Sequence, residues 1–282
     1  MKTLLHIILF VGMALASSAT SYERLSARMN DHFDHAEWSE VLVETEQMIK
    51  LRPTDADPYS AAIIAAQFLE DIPTENRYLT ISQSNRIHID SLLQRIYVRT
   101  KLIHNAHVYE QLLLNLKENN KWLSRVFNIY LLDFYDFARK TEETIKIADE
   151  LLLITPDNIR FKKIKANALF YQGNTQEAVD LYESIIASQP DDYDILTFLA
   201  AYYTTQTHQA LDELDNEYLN NTTLNDADYM ARKQEIIDTQ VAKSLDLLYK
   251  AQAIRTSEYI ESEIEKLNLI KTLSPRHPNK DK

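Results

Sequence analysis

Two pairs of histidines stand three residues apart, His32/His35 and His104/His107. The first lies in Asp31-His32-Phe33-Asp34-His35; the second continues to Glu110, which sets three polar groups near one face of a helix. Imidazoles and carboxylates at that spacing are possible zinc ligands, and with them the chemistry of a metal-dependent hydrolase. Neither pair forms the His-Glu-x-x-His protease pattern, and a further ligand has to come from elsewhere in the chain. Polar residues at a helix surface or turn are the simpler reading. Carboxylates crowd a second region: Asp212, Glu213, Asp215 and Glu217, followed by Asp226 and Asp228. Calcium would suit such oxygens, but the alternating ligands and glycine of an EF-hand loop are missing, so a solvated acidic loop is expected. No serine sits in a nucleophile motif. Without cysteine there is no thiolate nucleophile, disulfide, zinc finger or lipid-modified N-terminal cysteine. The two glycines, Gly12 and Gly173, cannot supply a dinucleotide fingerprint, a P-loop or a nucleophile elbow. The expectation is a non-enzymatic protein with no cofactor and no metal.

The elements that carry these residues read as helices. Trp38, Val41, Leu42, Thr45 and Ile49 follow a helical period, as do Ala178, Leu181, Tyr182, Ile185 and Ile186. Strict alternation of apolar and polar residues is hard to find, so strands are not expected. Pro53, Pro58, Pro73, Pro156 and Pro190 fall between periodic segments, where a residue without an N–H ends or begins a helix. Asp57-Pro58 and Asn174-Thr-Gln-Glu177 look like N-terminal caps. The pattern predicts helices over 21–33, 36–51, 57–71, 88–104, 106–118, 121–138, 141–154, 158–172, 175–188, 192–206, 228–254 and 257–272. Helices joined by two to five residues pack as antiparallel neighbours, which makes an array of helical hairpins.

Pro156 and Pro190 lie 34 residues apart, and the segments before them align without a gap. The second contains Gln172-Gly173-Asn-Thr-Gln-Glu-Ala178-Val-Asp-Leu-Tyr182-Glu-Ser-Ile185 and ends in Gln189-Pro190-Asp191-Asp192. This resembles the tetratricopeptide repeat (TPR). Gly173 stands at the glycine of the tight turn, Ala178 at the helix crossing, Tyr182 at the aromatic knob and Pro190 at the closing proline. Weaker copies surround it. Ala36-Glu-Trp38 to Pro53 resembles a second helix, with Val41 where alanine is usual. Leu131, Leu132 and Tyr135 suit a first helix, with Arg139 in place of the turn glycine. Leu196, Leu199, Ala200 and Tyr203 suit another, whose partner around Ser244, Leu245, Leu248 and Ala251 is displaced by an insertion. Residues 72–121 do not match the motif.

The resemblance implies an all-α fold, a right-handed α-solenoid of antiparallel helical hairpins in a TPR-like superhelix. It spans residues 20–273, with the best repeats at 125–158 and 159–192 and the insertion at 206–227. The family binds extended peptides or protein segments on the concave face. Its registration points Ile129, Asp133 and Phe137, with Val126 and Asp136, into that groove from one unit. From the next it points Arg160, Lys163, Asn167, Phe170 and Tyr171. Lys163 and Asn167 stand where chaperone-binding members hold a terminal carboxylate, although Phe198 occupies the place of that clamp's next asparagine. The aromatics Phe127, Tyr130, Phe134, Tyr135 and Phe137 share one helix and cannot all face one core. Some are expected to pack between units and others to line the groove, where they would anchor a peptide or stack on a sugar.

The chain begins as an exported protein does. Lys2 precedes a mostly apolar run from Leu4 to Leu15, and small residues follow at Ala16, Ser17, Ser18 and Ala19. A signal peptide is expected over 1–19, cleaved after Ala16 or Ala19, and the run is too short to span a bilayer comfortably. No other stretch approaches a membrane span. Without Lys2, 29 basic residues face 42 acidic ones, a net charge of −13 that repels nucleic acid and anionic lipid. The last residues, 274–282, read as a solvated tail. The insertion is expected to project as a loop that contributes to partner choice. These readings add up to a periplasmic or secreted scaffold for a protein or peptide partner. A carbohydrate- or nutrient-binding helical envelope protein is the alternative.

Overall fold

The computed structural model describes residues 21–220 and 224–273; the predicted signal peptide and C-terminal tail lie outside them. Among the described residues every regular element is a helix. In chain order these are α1 (21–34), α2 (Trp38–Leu51), α3 (Ala56–Phe68), α4 (Ile72–Ser84), α5 (Ile89–Leu102), α6 (Ala106–Asn119) and α7 (Ser124–Phe137). There follow α8 (Thr141–Ile154), α9 (Ile159–Gln172), α10 (Thr175–Ser188), α11 (Tyr193–Asn220) and α12 (Asp226–Ile236). A π-turn (Ile237–Val241) then leads into α13 (Ala242–Ile254), and α14 (Glu258–Leu273) follows.

The chain forms two compact units that divide at Ala138/Arg139. The division falls inside the 125–158 segment, at the turn where Arg139 stands in the glycine slot. In unit 1, α3 is the centre, packed against α2, α4, α5 and α6. Its sequence explains this: Tyr59, Ala61, Ala62, Ile63, Ile64, Ala65 and Ala66 are all fully buried, so the helix is apolar around its whole circumference. Truncating Ile63 or Ile64 to Ala there costs about 2–5 kcal/mol by loss of transfer energy plus a cavity. In unit 2, α8 packs on α9, α9 on α10, α10 on α11, α11 on α13 and α13 on α14. The expected first-helix residues Leu196, Leu199 and Ala200 share one core with Leu245, Leu248 and Ala251. Most consecutive helices within each unit pack on one another, and in unit 1 α5 packs on α3 rather than on α4, so hairpin stacks on hairpin as in a helical solenoid.

The 34-residue period extends further than side chains reveal. Ala36, Glu70, His104, Arg139 and Gly173 all have positive φ, and they are spaced 34, 34, 35 and 34 residues apart. Four of these turns share one hydrogen-bond pattern. Glu37 N–H reaches His32 O at 2.9 Å, Asp71 N–H reaches Ala66 O at 2.9 Å, Asn105 N–H reaches Thr100 O at 3.1 Å and Asn174 N–H reaches Leu169 O at 2.9 Å. This is the 6→1 bond of a Schellman turn, which requires a left-handed residue just before its donor. Residues 72–121, which lack the side-chain motif, therefore hold the same backbone period. They also contain α4, which the apolar pattern did not predict. Asp71 caps it, accepting from Thr74 N–H at 3.1 Å and from Thr74 Oγ1 at 2.6 Å, with Pro73 in its first turn.

Two further expectations are corrected. The side chain that caps α3 is Asp55, which accepts from Asp57 N–H at 2.9 Å. Asn174 flanks α10 without a side-chain cap bond; its amide nitrogen donates to Gln172 Oε1 at 3.0 Å. The insertion is also helical through most of its length. α11 runs on through Thr207, the next position in the turn period, to Asn220. It then packs with α12 around a small core of Leu214, Tyr218 and Tyr229. That core explains why the segment is not a loop: the tyrosine rings lie 4.3 Å apart, and Tyr229 OH donates to Asp215 Oδ1 at 2.7 Å.

Candidate functional site

Three helices of unit 1, α5, α6 and α7, leave an aromatic groove between them. One part is a cleft of about 370 Å³ lined by Gln94, Tyr97, Tyr109, Tyr130, Asp133, Phe134 and Phe137. A second space of about 290 Å³ shares Tyr97, Tyr109, Phe134 and Phe137 and continues to Lys101 and His104. The rings form a chain. Tyr97 meets Tyr109 edge-on at 5.3 Å between centroids, and Tyr109 meets Phe134 at 5.6 Å. Edge-to-face pairs of this kind hold each ring in one orientation. Helical spacing puts Tyr130, Phe134 and Phe137 on one face of α7, while Phe127, Leu131 and Tyr135 are buried on the other. The aromatic-rich helix thus divides its rings between core and groove.

The ends of the groove differ in charge. At one end, Tyr130 OH donates to Asp90 Oδ1 at 3.0 Å, and Asp133 is exposed beside it. At the other stand Lys101 and His104, the latter in the left-handed turn between α5 and α6. Burial, together with the Asp90 carboxylate, pushes the Tyr130 phenol up to about 12, and burial raises Tyr109 further. Both phenols therefore stay neutral and present apolar faces with a hydroxyl. Phe137 is 80% exposed, unusually so for a phenylalanine at the mouth of an aromatic cleft.

Of the predicted binding residues, Asp133 and Phe137 line this groove, and Ile129 is half-buried on the same helix. Arg160, Lys163, Asn167, Phe170 and Tyr171 lie on α9 in unit 2. Arg160 is exposed. Lys163 Nζ lies 2.8 and 3.1 Å from the Asp192 carboxylate oxygens and 3.9 Å from Asp194. Burial raises the Asp192 carboxyl, but Lys163 and the Ile195 N–H outweigh it and hold it below the usual range. Asn167 Oδ1 accepts from Tyr182 OH. The lysine and asparagine expected to clamp a carboxylate are therefore bonded within the chain. Lys163 holds the residue that caps α11, and Asn167 holds the aromatic knob. Phe170 meets Phe198 edge-on at 5.0 Å, and Tyr171 is exposed beneath the Arg139 guanidinium, 4.4 Å from its ring centre.

Tyr97 and Tyr109 were missed because they fall where the side-chain motif is absent; the turn period through Glu70 and His104 that flanks them lies in the backbone. The first histidine pair has local partners. His32 Nδ1 lies 2.5 Å from Glu37 Oε2, and His35 Nδ1 lies 2.8 Å from Asp31 O. Among the described residues no three His, Asp or Glu side chains are grouped to hold a metal ion.

No protein-family model matches the chain, and no curated protein matches it. Solved structures do. A putative protein binding protein from Bacteroides ovatus superposes with a TM-score of 0.55 at 19% identity, over 78% of this chain and 100% of that one. A TPR repeats protein from Bacteroides fragilis gives 0.42 at 15% identity, over 88% of this chain and 98% of that one. A tetratricopeptide repeat protein from Parabacteroides merdae gives 0.37 at 13% identity, over 89% and 99%.

Proposed function

We propose that this chain, an all-α array of TPR-like helical hairpins, is an exported, non-enzymatic scaffold whose unit 1 groove takes an extended segment of a protein partner. The observation that carries this reading is the continuous run of rings at Tyr97, Tyr109, Phe134 and Phe137, open at Phe137 and bounded by carboxylates at one end and a lysine at the other. Rigid aromatic anchors flanked by charge are what a peptide with one apolar residue and charged neighbours requires. A segment with a basic residue toward Asp90 and Asp133 fits best, because the chain as a whole is acidic. The TPR-like fold and the protein-binding description of the Bacteroides ovatus protein support the same reading. Location in the periplasm or beyond rests on the N-terminal charge, apolar run and small residues.

A photocrosslinking residue at position 137, introduced in the native host, tests both parts. Crosslinked peptides should come from one envelope protein, and the crosslinked chain should begin after Ala16 or Ala19. With that partner purified, Phe137→Ala should weaken binding by about tenfold. It should leave the melting temperature nearly unchanged, since the ring is mostly solvent-exposed. Unaltered affinity in Phe137→Ala/Tyr97→Ala, or an intact N-terminus on the crosslinked chain, would refute the corresponding part.

A further inference from the structure

Unit 2 holds a second cleft with a different chemistry. It measures about 520 Å³, and α11 supplies one wall through Tyr202, Gln206 and Gln209. The π-turn supplies the other, through Gln240. That volume lies within the about 300–1,000 Å³ usual for small-ligand clefts. A π-turn widens the helix by one residue, and such turns concentrate at functional positions. Here Ile237 and Val241 face the core while Gln240 lines the cleft.

Gln240 lines the cleft, and its shielded Oε1 is without a hydrogen-bond partner. Folded chains rarely leave such an atom unmet, so its place in the cleft wall points to a ligand that supplies a hydroxyl.

We propose that this cleft binds a neutral, hydroxyl-rich small molecule of the carbohydrate class. Each glutamine amide both donates and accepts, which matches sugar hydroxyls. Tyr202 and Tyr203, edge-on at 5.1 Å, offer apolar surface for the C–H face of a sugar ring. The cation at the rim is already matched: Lys243 Nζ lies 2.7 Å from Glu183 Oε1 and 3.8 Å from the Tyr203 ring centre. Glu213 then leaves the rim with an excess negative charge, which disfavours phosphate and carboxylate ligands. The proposal is independent of the unit 1 groove, and each can fail without the other.

Saturation-transfer NMR and titration calorimetry on the mature chain decide it, with glucose, galactose, mannose, N-acetylglucosamine and their common disaccharides as probes. At least one should bind with a Kd of about 1 mM or tighter. Gln209→Ala removes an exposed side chain and should weaken that binding about tenfold, as should Gln240→Leu. Tyr97→Ala, in unit 1, should leave it unchanged. The proposal is overturned if no probe binds at about 10 mM. Binding indifferent to Gln209→Ala and Gln240→Leu, or glucose 6-phosphate binding more tightly than glucose, overturns it equally.

Discussion

Glu75 sits on α4 with no exposed surface, and neither of its carboxyl oxygens meets a hydrogen-bond partner. Burial pushes its pKa up to about 7; the nearby Asn115 amide eases the charged form, and Asp71 adds a smaller upward push. In the unfolded chain the group returns to its ordinary 4.5. Between those two values the folded chain holds a proton that the unfolded chain releases, so folding stability falls as pH rises from about 4.5 to about 7. Above pH 7 the cost of a buried carboxylate is fully present, about 3 kcal/mol for a rise of that size. Glu75→Gln removes the charge and little else. Urea titrations should show it more stable than the parent by about 3 kcal/mol at pH 8, and by only about 1 kcal/mol at pH 5. An equal shift at both pH values would place the effect in packing rather than ionisation.

Helix-to-helix turns carry the second prediction. A left-handed residue other than glycine costs about 1 kcal/mol, offset in part by the extra freedom glycine has in the unfolded chain. Glu70 is exposed and has a φ of 56°, so Glu70→Gly should stabilise unit 1 by about 0.5–1 kcal/mol. Gly173→Ala should cost unit 2 a similar amount purely through the backbone, because a Cβ there meets nothing within 4 Å. Chemical denaturation of both variants reads the two signs; a loss in Glu70→Gly would mean the side chain, not the backbone, governs that turn. The same turns explain what was legible in the sequence. Helices with an apolar stripe, such as α2 and α10, announce themselves, and so does the one turn that kept its glycine. A Schellman turn is made of backbone hydrogen bonds, so Ala36, Glu70 and His104 leave no side-chain mark of it. α4 was hidden for a related reason: its start is a capping contact between Asp71 and Thr74, not a hydrophobic period. The groove was half legible, since α7 shows its rings while Tyr97 and Tyr109 lie in the unmarked stretch. The carboxylate clamp was misleading at Lys163 because Asp192, which binds it, is 29 residues away in the chain.

Charge acts on the whole molecule, beyond any single contact. With 30 basic and 42 acidic residues, the chain carries a formal charge of −12. Such a field reaches about 10 Å into 0.1 M salt and farther in dilute buffer, so it acts on a partner before contact. It opposes the approach of nucleic acid and would accelerate that of the basic segment proposed for the groove, with Asp90 and Asp133 as the carboxylates it would meet. Two consequences separate field from contact. Raising salt from about 0.02 to about 0.5 M should slow association of the groove's partner by about tenfold and leave dissociation much less affected. Asp133→Asn removes one charge in twelve from the net but a whole carboxylate from the groove, so it should reach mainly the dissociation rate. Stopped-flow measurement with the crosslink-identified partner resolves the two rates. An association rate indifferent to salt would mean that the partner's docking segment is not basic, and the aromatic rings alone would then have to account for recognition.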